Sequence, residues 1–247
     1  MNDDLLRRDE NFVIGIVGGM GSYATVDFFR RVIDAFPAEK EWDRPRVLVD
    51  NYCTMPSRVR AVLYGERREE LVEQLTSAVA GMMNAGVDKI VFACNTSHIF
   101  VPDVISRIPE CEPCVVHIIE ECARRIAEEG IPSAGLVATE GTIDTGIYET
   151  IFARRDIRIN SPGRDDFGKL REFIEAVKQQ DFRDGLMEEF ISFLDGFEDD
   201  AVILGCTELP ILYGRCEEKG LKTPKKVFDP LQAAIDTLVK AYKEVEA

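Results

Sequence analysis

The chain has 247 residues, 45% of them hydrophobic and 30% charged, which supplies a sizeable core and excludes a disordered or fibrous protein. Its 45 acidic against 30 basic residues give a formal net charge of −15, a balance that repels nucleic acid and anionic membranes, so neither is expected as a partner. No apolar run approaches the roughly 18 residues a membrane span needs, and the charged stretch 1–10 reads as a short solvated arm rather than a secretion signal, predicting a cytoplasmic protein.

The first apolar run, residues 12–17, reads as a buried strand entering the tight turn Gly18-Gly19-Met20-Gly21, with a helix over 22–36 behind it. A second strand follows at 47–49. Leu71, Leu75, Val79 and Met82 give helical spacing to 69–85, and Gly86 stops that helix. Residues 89–93 form a strand that delivers Cys94-Asn95-Thr96. Residues 115–119 suit either a strand or the start of the helix over 120–129. A strand at 134–138, helices over 142–153 and 170–178, and a buried strand at 201–204 ending in Gly205-Cys206-Thr207 come next. The tail, 230–245, has the pattern of an amphipathic helix. Strands alternating with helices imply an α/β fold with mostly parallel sheets covered on both faces.

A faint repeat divides the chain. Gly15, Val17, Gly21 and Thr25 recur as Gly135, Val137, Gly141 and Thr145, each pair 120 positions apart, and Cys94 recurs as Cys206, 112 positions on. Two similar lobes, pseudosymmetric and facing each other across a cleft, would produce this pattern.

Ligands of open α/β sheets bind beyond the carboxyl ends of the strands, where Cys94 and Cys206 are both expected. Facing each other, two thiols can take a proton from one side of a carbon and deliver another to the opposite side. A thiol pKa starts near about 8.5, and backbone amides at a following helix start favour the thiolate. Seven cysteines, an odd number, argue against a disulfide framework. Cys111-Glu-Pro-Cys114 lacks a second ligand pair for zinc, so no metal site is expected there. Cys53, Cys122 and Cys216 show no partner pattern and read as packing residues.

Four segments carry a resemblance: Gly18-Gly-Met-Gly-Ser-Tyr-Ala-Thr25, Cys94-Asn-Thr-Ser-His98, Leu136-Val-Ala-Thr-Glu-Gly-Thr142 and Leu204-Gly-Cys-Thr-Glu-Leu-Pro210. In that order, and over nearly the whole chain, the sequence resembles the aspartate/glutamate racemase superfamily, within it the aspartate racemase branch. The resemblance implies a racemase that uses no pyridoxal phosphate, no other cofactor and no metal, with Cys94 and Cys206 as opposed acid/base residues. It implies that Cys94 serves the D-enantiomer and Cys206 the L-enantiomer. It also implies a second lobe, 111–217, inserted in a first lobe made of 1–110 and 218–247, with the C-terminal helix returning to the first lobe. Backbone amides near Met20, together with Asn95, Thr96, Thr139, Thr142 and Thr207, would hold the α-carboxylate and amino group of an amino-acid substrate. Arg58 and Lys178 match the positions whose cations meet a side-chain carboxylate, and Glu208 is expected to set polarity or a hydrogen bond beside Cys206. Dimers are common for this fold, so the resemblance implies a homodimer. The chain departs from the family at Pro56-Ser-Arg-Val59, where Pro-Asp-Arg-Thr is common, which bears on the side-chain pocket. His98 and His117 are read as structural.

Two other readings compete. Another activity of the superfamily, hydantoin racemase or maleate isomerase, would use the same cysteines. A Rossmann oxidoreductase would explain Gly19-x-Gly21-x-x-Ala24 after a strand with Asp50 as its ribose acid, but it leaves both cysteine segments unexplained.

Overall fold

The computed structural model describes residues 12–246, so the expected arm at 1–10 lies outside the described residues. The first half runs β1 (Val13–Gly18), α1 (Ser22–Ala35), β2 (Arg46–Asn51), α2 (Arg58–Tyr64), α3 (Arg68–Asn84), β3 (Lys89–Phe92), α4 (Val101–Arg107), β4 (Val115–Val116) and α5 (Ile118–Glu128). The second continues β5 (Ser133–Val137), α6 (Glu140–Asp144), α7 (Ile147–Ala153), β6 (Arg158–Asn160), α8 (Phe167–Gln179), α9 (Leu186–Asp195), β7 (Ala201–Leu204), α10 (Leu209–Glu218), β8 (Lys226–Phe228) and α11 (Pro230–Glu246). None of these helices is long and apolar enough to cross a membrane.

Two four-stranded sheets result, ordered β2-β1-β3-β4 and β6-β5-β7-β8, with every pairing parallel. The two orders are the same order. Each sheet is covered by helices, as a parallel sheet must be when its strands are buried on both faces; β1 and β7 are buried along their whole length. Gly15 and Gly135 occupy matching places on β1 and β5, and both lie under a close neighbour. A methyl group on Gly135 would sit 2.3 Å from the Phe197 ring, and one on Gly15 would sit 3.0 Å from Met82 and Val87. That crowding favours glycine at both places.

Three expectations need adjustment. β4 belongs to the first sheet and β8 to the second, so the sheets run past the boundaries expected at 110 and 217. Strands of two and three residues are too short to show in a hydrophobic pattern. The helix expected over 142–153 is two helices, because Gly146 takes φ +62° between α6 and α7. Residues 115–119 are strand and helix in turn, with His117 between them capping α5 by accepting from the Glu120 amide at 3.3 Å.

α11 packs on helices of the first half. Arg31 of α1 pairs with Asp229 at 2.7 Å, Tyr242 makes edge contacts with Phe12 and Phe36, and Thr237 donates to Glu121 of α5 at 2.6 Å.

Candidate active site

β3 and β7 occupy equivalent positions in the two sheets, and both cysteines follow their carboxyl ends directly. Hydrogen bonds from the Ala93 amide to the Val17 carbonyl (2.9 Å) and from the Gly205 amide to the Val137 carbonyl (2.7 Å) extend the two ladders to the residue before each thiol. Both side chains are buried, each 7% exposed.

After Cys94 the chain turns into a 3-10 segment, Thr96–Phe100. The Cys94 carbonyl accepts from the Ser97 hydroxyl at 2.7 Å and faces His98 Nδ1 at 2.9 Å. His98 Nε2 accepts from the Ile118 amide at 3.3 Å, which puts the ring proton on Nδ1. His98 therefore ties the Cys94 turn to the start of α5. Burial, then the neighbouring His117, holds the His98 pKa well below 6.5, and burial also lowers that of His117. In the unfolded chain both rings bind protons more readily than in the native one, so stability is present above about pH 6.5 and falls as pH drops below it. Urea unfolding at pH 7 and 5.5 should show lower stability at the acid pH, with about 1.4 kcal/mol per pH unit as the limiting slope from His98 and a smaller share from His117. His98→Asn should remove part of the slope; an unchanged slope would contradict the assignment.

The Cys206 thiol donates to Glu208 Oε2 at 3.0 Å, and Thr207 donates to the same oxygen at 3.3 Å. The sequence leads to the expectation of a helix start that favours thiolate, yet the nearest charge is a carboxylate. Burial raises the Cys206 pKa well above the ordinary value, the charge and hydrogen bond of Glu208 raise it further, and Lys178 opposes them only in part. Cys206 is thus held as a thiol. Glu208 itself is 2% exposed, and its Oε1 has no partner. That oxygen reaches the glycine turn of the other half, where a methyl group on Gly21 would lie 2.4 Å away. The space a pyrophosphate would need over this turn is filled by the protein's own carboxylate, which removes the support for a dinucleotide loop.

A hydroxyl cluster joins the halves beside the cysteines. Thr96 lies 2.9 Å from Thr142 and 3.3 Å from Thr139, and Thr139 lies 3.0 Å from Thr142. Tyr148, fully buried and absent from the sequence reading, donates to Asn95 Oδ1 at 2.5 Å, and its hydroxyl would lie 3.3 Å from a methyl group on Gly205. It therefore touches the loops of both cysteines. Asn95 Nδ2 is left buried without a partner. Each cysteine loop thus presents one buried polar atom without a partner in the protein, a donor beside Cys94 and a carboxylate oxygen beside Cys206.

Arg58 and Lys178 are engaged within the protein. Arg58 donates to the carbonyls of Met20 (2.7 Å) and Pro56 (3.0 Å), while its buried Nε has no partner. Met20 thus meets Arg58 through its carbonyl, with its side chain in the core of the first half, and the neighbouring Gly19 amide is taken by Thr25 at 2.9 Å. Lys178 pairs with Glu175 at 2.8 Å. Burial opposes its charge, but the hydrogen bond to Glu175 and the charge of Glu208 outweigh that cost and raise its pKa. A cavity of about 190 Å³ runs from Thr139 between Ser57 and Val59 on one side and α8 on the other, reaching Lys178. Neither cysteine nor Arg58 lines this cavity; a larger open groove of about 720 Å³ along β6 also holds neither cysteine, and none of the threonines.

Residues 17–238 match the model of the Asp/Glu/Hydantoin racemase family. The chain belongs to that family. Among members of this racemase family it is similar to the broad specificity amino-acid racemase RacX of Bacillus subtilis, 24% identical over 80% of this chain and 86% of that protein. It is also similar to the glutamate racemase of Lactobacillus helveticus, 25% identical over 90% of this chain and 77% of that one. Its fold is similar to that of Picrophilus torridus aspartate racemase, with a TM-score of 0.77 and 25% identity over 96% of this chain and 98% of the other.

Proposed function

We propose that the protein interconverts the L and D forms of an acidic amino acid, aspartate or glutamate, by two-base proton transfer between Cys94 and Cys206, with no cofactor. The observation that carries this reading is the matched placement of the two buried thiols at the ends of β3 and β7, in sheets of the same order. One thiolate removes the α-proton while the opposite thiol protonates the other face. Cys206, held protonated by burial and Glu208, is the donor when Cys94 is the base, which by family analogy is the turnover of the D-enantiomer. Asn95 Nδ2, Thr96, Thr139, Thr142 and Thr207 supply donors to the α-carboxylate, where charge builds as the carbanion develops. Glu208 Oε1, beside the glycine turn, suits the substrate ammonium. Lys178 and Arg58 serve the side-chain carboxylate, with the cavity between α2 and α8 as its space. A cytoplasmic homodimer belongs to the same reading and rests on the family resemblance.

The test is chiral chromatography of each enantiomer of aspartate and glutamate after incubation with purified protein, with no cofactor added. Inversion of either pair is expected. Inversion only of other amino acids would overturn the acidic substrate, and inversion of none would overturn the racemase.

A further inference from the structure

The cavity between α2 and α8 already contains the ion pairs that an acidic side chain would seek. Along one face of α8, Leu170, Arg171, Ile174, Glu175 and Lys178 follow helical spacing, and all five line the cavity. Both cations on this face are taken. Arg171 donates to both oxygens of Glu140, at 2.9 and 3.0 Å, and Lys178 donates to Glu175 at 2.8 Å. The pairs differ in where they stand. Lys178 feels the charge of Glu208, the carboxylate beside Cys206, whereas Arg171 is an exposed residue bridging to the start of α6. Any carboxylate that reaches Lys178 from the cysteine side therefore meets a cation that already holds a carboxylate of the same chemistry.

We propose that Glu175 is a specificity-determining placeholder, whose carboxylate occupies Lys178 in the free protein and is displaced by the substrate's side-chain carboxylate. The inference rests on the racemase reading and on Lys178 as the side-chain cation. Glu175 does two things in this arrangement. It keeps the flexible lysine at the cavity wall when the site is empty, and it competes with every acidic ligand from the same helix turn. The Glu175 and Lys178 side chains remain 42% and 39% exposed, so the pair is only moderately strong and can be exchanged. A neutral side chain cannot displace Glu175, and it gains nothing from the lysine.

The experiment compares wild type with Glu175→Gln, a half-exposed change that keeps the size of the side chain. KM for aspartate and glutamate should fall about two- to fivefold, the range a half-exposed ion pair allows. The effect should sit in KM rather than kcat. Asparagine and glutamine, measured as substrates or as competitive inhibitors, should show no matching gain. Unchanged or higher KM for the acidic pair, or an equal gain for the neutral pair, would overturn the proposal. If wild type inverts no amino acid, the racemase reading fails by itself. Calorimetric titration of aspartate and glutamate into both proteins then decides the role of Glu175: tighter binding to the variant supports displacement, and equal or absent binding overturns it.

Discussion

Cys94→Ala and Cys206→Ala should each lose racemisation in both directions, by about 10²- to 10⁴-fold, the usual contribution of one positioned acid or base. Both directions fall together because in the proposed mechanism either direction uses both thiols, one to remove a proton and one to deliver it. Each alanine removes one sulfur and leaves the strand and its ladder intact, so unfolding temperatures should change little compared with the activity. Serine at one position separates the roles further. With one working thiolate, the variant should exchange the α-proton of one enantiomer with solvent while inverting it far more slowly. A single-cysteine variant that inverts substrate at the wild-type rate would contradict the assignment of two bases.

Glu208→Gln should move the alkaline limb of the pH profile of kcat/KM to lower pH. On the proposed mechanism the limb reports loss of the last proton of the cysteine pair, a proton that Cys206 retains because burial, and then the Glu208 carboxylate, raise its pKa. Glutamine keeps an oxygen 3.0 Å from the thiol but removes the negative charge, so the thiolate forms at lower pH. The two enantiomers have equal energy, so kcat/KM must be the same in both directions at every pH, and the shift must appear identically in each. A limb that stays in place or moves upward would show that Glu208 does not hold the Cys206 proton.

Much of this arrangement is legible in the sequence, for identifiable reasons. Residues 89–93 and 201–204 are short apolar runs ending in Cys-Asn-Thr and Cys-Thr-Glu, and strand ends of parallel sheets are where ligands bind. At Gly135 the Phe197 ring leaves no room for a side chain, and at Gly15 Met82 and Val87 leave little, so glycine suits both strands. What is hidden is hidden by chemistry that looks ordinary along the chain. Tyr148 lies on an apolar helix face and reads as core, although its hydroxyl serves the loops of both cysteines. Arg171 and Glu175 carry no motif, and only the fold, which sets α8 across a cavity from Ser57 and Val59, brings them with Glu140 to line one space. α10 opens on Leu209-Pro210, a proline that breaks a helix interior but is tolerated in a first turn. The charge state of Cys206 could not be read either, because Glu208 acts by folding back on the thiol two residues before it.

The most direct test of the two-base claim is the isotopic content of both enantiomers during the first turnovers in deuterium oxide, starting from one pure enantiomer. A thiol carries a single exchangeable proton, so the delivering cysteine is deuterated by solvent before it acts. The product enantiomer should therefore carry deuterium at its α-carbon from the outset, while the recovered starting enantiomer keeps its protium. Protium in the early product, returned by the group that removed it, would contradict two opposed cysteines and point to a single base.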